Sequence, residues 1–224
     1  MVEKTPHRAL VEHRPWLLAS LAAGVAYYLL WNNPIAELWL IALKGASVAR
    51  LAIYTLRRAR GGDAAILALA LALSSAGDMA LVLIFEVGGA LFFASHVAAL
   101  ALYARNRASE TTGSQKACAA ALFIATPLLS YLLSGRMDIA AYSLALAAMA
   151  ASAWMSRFPR SRVGLGAILF LISDWLIFSR FGPLDLTPLP DILVWPTYYI
   201  AQFLIATGVV QTLRADREAP EAFA

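Results

Sequence analysis

The sequence predicts an all-α, polytopic membrane protein, a bundle of eight transmembrane helices forming one domain over residues 1–224. Three observations carry this. Of 224 residues, 61% are hydrophobic and only 14% are charged, whereas a soluble domain carries about a quarter charged residues. The mean hydropathy is +0.68. The apolar residues fall into eight runs at about 15–31, 35–56, 64–85, 88–105, 117–133, 138–156, 162–180 and 193–213, each close to the ~20 residues that cross a hydrocarbon core. The basic residues, finally, segregate by loop.

The first run, Trp16–Trp31, lacks a small-x-small cleavage site and leads straight into further spans, so it reads as a span rather than a cleaved leader. Turn signals at Asn32–Pro34, Gly61–Gly62, Val87–Gly89, Gly135 and Gly182–Pro183 separate the later runs. With that division, Lys4, Arg8, Arg14, Arg57, Arg58, Arg60, Arg105, Arg107, Lys116, Arg157, Arg160, Arg162, Arg214 and Arg217 fall on one side. Only Arg136 and Arg180 fall on the other. The positive-inside rule then makes both termini cytoplasmic, with tails of about 1–14 and 214–224, in a multi-pass protein of the cell membrane. Topology accounts for the net charge of +4, and no nucleic-acid partner is read from it. The single Cys118 excludes an internal disulfide and a multi-cysteine metal site.

Two basic residues stand inside the second run. Arg50 is near enough to the basic side to snorkel toward it. Lys44 is not, and needs an anion or a wet cavity. The other ionisable residues at mid-span depth are Asp78 in the third run, His96 in the fourth and Asp174 in the seventh, and the eighth adds Tyr198, Tyr199 and Gln202. At ~1.5 Å of rise per residue, Asp78 and Asp174 lie within about one turn of the same depth, in the outer half of the bilayer, and His96 and Gln202 descend to the same layer. Ser75-Ala76-Gly77-Asp78 and Leu171-Ile172-Ser173-Asp174 occupy equivalent places in two four-helix halves, which suggests a parallel 4+4 repeat.

Each of these residues also has a structural reading. Ser74 and Asp78 share a helix face and could join neighbouring helices by hydrogen bonds. Asp78 with Lys44 could be a structural ion pair, His96 an interhelical donor, and Tyr198 and Tyr199 part of an interfacial aromatic belt. Asp185 and Asp191 read as solvated turn residues. Two aspartates, a lysine and a histidine in one layer are harder to explain structurally, because each charge in hydrocarbon is expensive and such groups usually face a bundle interior or a cavity.

The chemistry open to them is limited. The sequence has no GxSxG elbow, no HExxH and no phosphate-binding glycine loop. With His7 and His13 in the N-terminal tail, a three-histidine zinc site is not available, and no metal or cofactor is expected. Two carboxylates in different surroundings can divide into one protonated and one ionised group, the arrangement of an acid paired with a base or charge stabiliser. That pair suits a reaction through an oxocarbenium-like cation. Intramembrane carboxylates with a lysine also fit a proton-coupled transporter, although the runs lack paired Gly/Pro interruptions and Pro127 stands alone mid-span.

The pattern Ser74-Ser75-Ala76-Gly77-Asp78 followed by Phe85, Gly89, Phe93 and His96 resembles the lysoplasmalogenase (YhhN) family of membrane proteins. Lys44, the run Gly166-Ala167 to Phe170 to Ser173-Asp174, and Tyr198-Tyr199 with Gln202 match it further, so the resemblance spans Lys44 to Gly208. Gly45, where the family has proline, and Ala99, where an aromatic is usual, depart from it. The resemblance implies hydrolysis of the sn-1 vinyl ether of lysoplasmalogens to a fatty aldehyde and a glycerophospho-base, with a lysophospholipid substrate taken from the bilayer. Asp78 and Asp174 would be catalytic. Lys44, Ser74, His96, Ser173, Tyr198, Tyr199 and Gln202 would bind substrate or support the pair.

Overall fold

In the computed structural model, residues 14–34, 36–184 and 186–221 are described; Lys4, Arg8, His7, His13 and Asp185 lie outside them. Among the described residues, eight α-helices follow one another: α1 (Arg14–Leu30), α2 (Glu37–Arg58), α3 (Gly62–Leu83), α4 (Phe85–Arg105), α5 (Gly113–Ser134), α6 (Met137–Trp154), α7 (Leu165–Ser179) and α8 (Leu189–Glu221). A single π-turn, Arg160–Gly164, leads into α7. Seven of these segments, the π-turn and α7 counted together, are long and apolar enough to cross a membrane, and α1 is a shorter apolar helix. The chain is a polytopic helical membrane bundle.

Antiparallel neighbours pack in sequence order, α1 on α2, α2 on α3, α3 on α4, α5 on α6 and α7 on α8, while α4 meets α6 and α2 meets α8 across the two halves. Side chains show which ends share a face. Asp63 at the start of α3 accepts from Asn106 (2.8 Å) and Arg105 (3.1 Å) at the end of α4. Arg157 after α6 donates to Asn106 (2.8 Å) and to Asp216 in α8 (2.7 Å). The even-numbered helices therefore end on the basic face, as the charge pattern requires, and the last turns of α8 project from it as helix rather than as an irregular tail.

Loop chemistry explains the turns. Gly61 (φ 98°) and Gly135 (φ 68°) adopt backbone conformations that favour glycine. Thr112 and Gln115 form a reciprocal capping box that starts α5. The turn expected at Val87–Gly89 lies instead at Ile84, the single extended residue between α3 and α4. Gly88 and Gly89 are inside α4. Gly88 serves close approach rather than bending, since a methyl group there would stand 2.6 Å from the backbone nitrogen of Leu81 in α3. Pro196, which the expected start of the last span put in its first turn, is well inside α8 because that helix begins at Leu189. Arg50 also departs from expectation. Its guanidinium folds back to the Ala46 carbonyl (3.1 Å), away from the basic face.

Because the α3–α4 crossing sets where Asp78 and His96 stand, Gly88→Val should destabilise the fold by about 1–3 kcal/mol through overpacking. Thermal unfolding in detergent reads this as a lowered midpoint, whereas Gly89→Ala, with open space beside it, should leave the midpoint unchanged.

Candidate active site

Asp78 is on α3 where it faces α2 and α8. Its side chain is only 2% exposed. Lys44 Nζ on α2 lies 3.7 Å from Oδ1, and the Tyr198 hydroxyl on α8 donates to Oδ2 at 2.7 Å. Gln202, one turn further along α8, donates to the Tyr198 oxygen at 3.4 Å. The carboxylate thus has a counter-charge on one oxygen and a hydroxyl donor on the other, which is what burial of an ionised carboxylate requires.

Asp174 on α7 has a second, separate set of partners. Tyr142 on α6 donates to its Oδ2 at 3.3 Å, and His96 Nε2 on α4 lies 2.9 Å from the Tyr142 oxygen and 3.8 Å from the same carboxylate oxygen. His96 is fully buried. The Phe170 ring packs edge-on against both His96 (centroids 5.0 Å apart) and Tyr198 (5.3 Å). Phe92 touches the same rings, so an aromatic wall stands between the two polar clusters.

The two clusters open into one cavity of about 390 Å³. Lys44, Asp78, Tyr142, Ser173, Asp174 and Tyr198 line it, with Trp195, Ile177 and Phe178 among its apolar walls. It reaches the face opposite the basic one, where Tyr28, Trp31, Phe85, Glu86, Arg136, Asp138, Arg180 and Asp191 form its mouth. The structure therefore brings Lys44, Asp78, Asp174, Ser173 and Tyr198 together on one cavity, with His96 and Gln202 behind them. Ser173 Oγ is itself held by the Val194 carbonyl of α8 (3.3 Å). Two residues expected beside them look elsewhere. Ser74 pairs with Ser95 (2.8 Å), joining α3 to α4, and Tyr199 pairs with Ser20 of α1 (2.8 Å). Neither lines the cavity. Asp191, read as a solvated turn residue, is in the first turn of α8, bonded to Arg180 at 2.8 Å and lining the mouth.

Tyr142 is the member of the site that sequence reading misses. A tyrosine early in an apolar run looks like belt, and only its neighbours distinguish it. The order of the helices holds the signal. Each aspartate takes one partner from the preceding helix of its own half (Lys44 on α2, Tyr142 on α6) and one from the fourth helix of the opposite half (Tyr198 on α8, His96 on α4). Tyr142 is therefore the counterpart of Lys44. Among the described residues, no three His, Cys, Asp or Glu side chains come together as a metal site.

A family model, the YhhN family, matches residues 39–209, well over half of the chain, and the chain belongs to that family. Comparison with curated proteins and with solved structures gave no match.

The pairing of Lys44 with Asp78 makes a stability prediction independent of any activity. Lys44→Met leaves a buried carboxylate uncompensated and should destabilise the protein by about 3–5 kcal/mol, whereas Lys44→Met with Asp78→Leu should recover most of that loss. Thermal unfolding of the single and double variants reads the difference; equal midpoints would mean the two groups are not coupled.

Proposed function

We propose that this YhhN family protein is an intramembrane hydrolase that cleaves the sn-1 vinyl ether of lysoplasmalogens to a fatty aldehyde and a glycerophospho-base. The observation that carries this reading is one cavity holding two carboxylates with different partner sets. Charge balance divides their roles. A buried site is least costly when neutral overall. Lys44 and Asp78 balance as ammonium and carboxylate. Asp174 instead has Tyr142 and His96 beside it, groups through which a proton can pass, with the Tyr142 hydroxyl between the other two.

That setting suits Asp174 as the acid. Asp174 protonates the vinyl carbon remote from the ether oxygen, and the double-bond electrons form the new C–H bond. The resulting oxocarbenium ion is stabilised by the Asp78 carboxylate. Water adds to the carbon bearing the ether oxygen and loses a proton to Asp78. The hemiacetal collapses with cleavage of the glycerol C–O–C linkage at the former vinyl carbon, giving the aldehyde and a glycerol hydroxyl. The proton on Asp78 returns to Asp174 through the cavity, so each turnover consumes only water. Tyr198 and Gln202 hold Asp78 in place, and the aromatic wall of Phe92 and Phe170 lies beside the developing cation. A lipid substrate also fits a site sunk within the bilayer, since an alkyl chain can leave the cavity between helices.

One positioned acid or base contributes about 10²–10⁴-fold. Asp78→Asn and Asp174→Asn, purified as folded proteins, should each lower aldehyde release from a 1-alkenyl lysophospholipid by that factor. Tyr142→Phe should keep the fold and lose a smaller part, by slowing reprotonation of Asp174. Normal release by both Asn variants would contradict the paired-carboxylate chemistry. A folded wild-type protein that releases no aldehyde but couples protons to solute movement in liposomes would support the transporter reading instead.

A further inference from the structure

The charge pattern leaves two basic residues unexplained. Positive residues are depleted from the non-basic face of the bundle, and Arg136 and Arg180 are the exceptions on it. They come from different elements, the N-cap of α6 and the C-cap of α7. Both nevertheless line the mouth of the same cavity. Each is about half exposed and paired with an acid, Arg136 with Asp138 and Arg180 with Asp191 at 2.8 Å, and Glu86 lines the mouth beside them. Exposed ion pairs of this kind are weak and exchange partners readily. Arg136 also lies over the Phe181 ring, 5.7 Å from its centre, which fixes the direction of its long side chain. A rim with two guanidinium groups and three carboxylates is matched to a ligand bearing both a phosphate and an ammonium.

Depth agrees. Asp174 stands six residues below Arg180 on α7, and Tyr142 six residues below Arg136 on α6, a drop of ~9 Å at 1.5 Å per residue. In a lysophospholipid with a vinyl ether, seven bonds separate the phosphorus from the outer vinyl carbon, roughly 8 Å at about 1.2 Å of advance per bond. We propose that Arg136 and Arg180 form a headgroup subsite that binds the phosphate of a zwitterionic lysophospholipid, with Asp138, Asp191 and Glu86 facing its ammonium, and so set the depth at which the ether meets Asp78 and Asp174. The proposal rests on the vinyl ether reading for the identity of the deep group, while the rim chemistry stands on its own.

The test is equilibrium binding in a non-ionic detergent, read by the fluorescence of Trp31 and Trp195, which line the cavity. The probes are a non-cleavable 1-O-alkyl lysophosphoethanolamine and the matching 1-O-alkyl glycerol. Wild-type protein should bind the phospholipid at least tenfold more tightly. Arg136→Gln and Arg180→Gln should each reduce that preference several-fold, and the double variant should erase it while still binding the alkyl glycerol. Arg60→Gln, exposed on the opposite face, should keep the full preference. Inorganic phosphate and glycerophosphoethanolamine are added as separate competitors. Displacement by the glycerophospho-base but not by equal inorganic phosphate supports a lipid headgroup site, and equal displacement by phosphate overturns that assignment. No preference in the wild type, or an unchanged preference in the double variant, overturns the subsite. If the preference holds but no aldehyde is released from a 1-alkenyl lipid, the subsite stands and the cleavage reading fails. If aldehyde is released equally from 1-alkenyl lysophospholipid and 1-alkenyl glycerol by wild type and double variant, the reverse holds.

Discussion

A carboxylate set among apolar helices needs a counter-charge and donors for its oxygens, because hydrocarbon supplies neither. This bundle meets that demand twice at one depth, and the arrangement of helices follows from it. To reach Asp78 with an ammonium and a hydroxyl, α2 and α8 must both lie against α3. To reach Asp174 with a hydroxyl and an imidazole, α6 and α4 must both lie near α7. The contacts between the halves include α2 with α8, α3 with α8 and α4 with α6, which bring these partners within reach. Glycines make the approach close enough. At Gly88 an added carbon would meet the backbone of α3, and at Gly166 it would meet the Ala201 carbonyl of α8 at 2.9 Å.

The two carboxylates draw their partners from matching positions in the helix order, with different chemistry at each pole. Lysine and tyrosine surround one aspartate, and tyrosine and histidine the other. One pole holds a lysine amine 3.7 Å from its carboxylate, and the other holds an imidazole beside a phenol. A site with two identical poles would have no reason to divide acid from base. The phenyl rings of Phe92 and Phe170 keep the two sets of partners from merging.

Much of this is legible in the sequence, for reasons that can be stated. Charge in hydrocarbon is rare enough that Lys44, Asp78, His96 and Asp174 identify themselves, and helical rise places them in one layer without any structure. The number of helices follows from the segregation of arginines. What stays hidden is direction around each helix axis. Ser74 is on the same helix face as Asp78 by spacing, yet it is spent on Ser95, and Tyr199 turns to Ser20 while its neighbour Tyr198 reaches Asp78. Tyr142 is hidden because tyrosine is common near membrane interfaces. Gly88 misleads because glycine signals a turn and a close crossing equally well, and only the backbone of Leu81 distinguishes them.

Deuterium from solvent offers the most direct test of carbon protonation by this pair. Purified protein turning over a 1-alkenyl lysophospholipid in D₂O should yield aldehyde carrying one deuterium on the carbon next to the carbonyl, at a rate that falls together with aldehyde release in Asp174→Asn. Aldehyde formed without that deuterium, or formed with it at an undiminished rate when Asp174 is replaced, would contradict the mechanism.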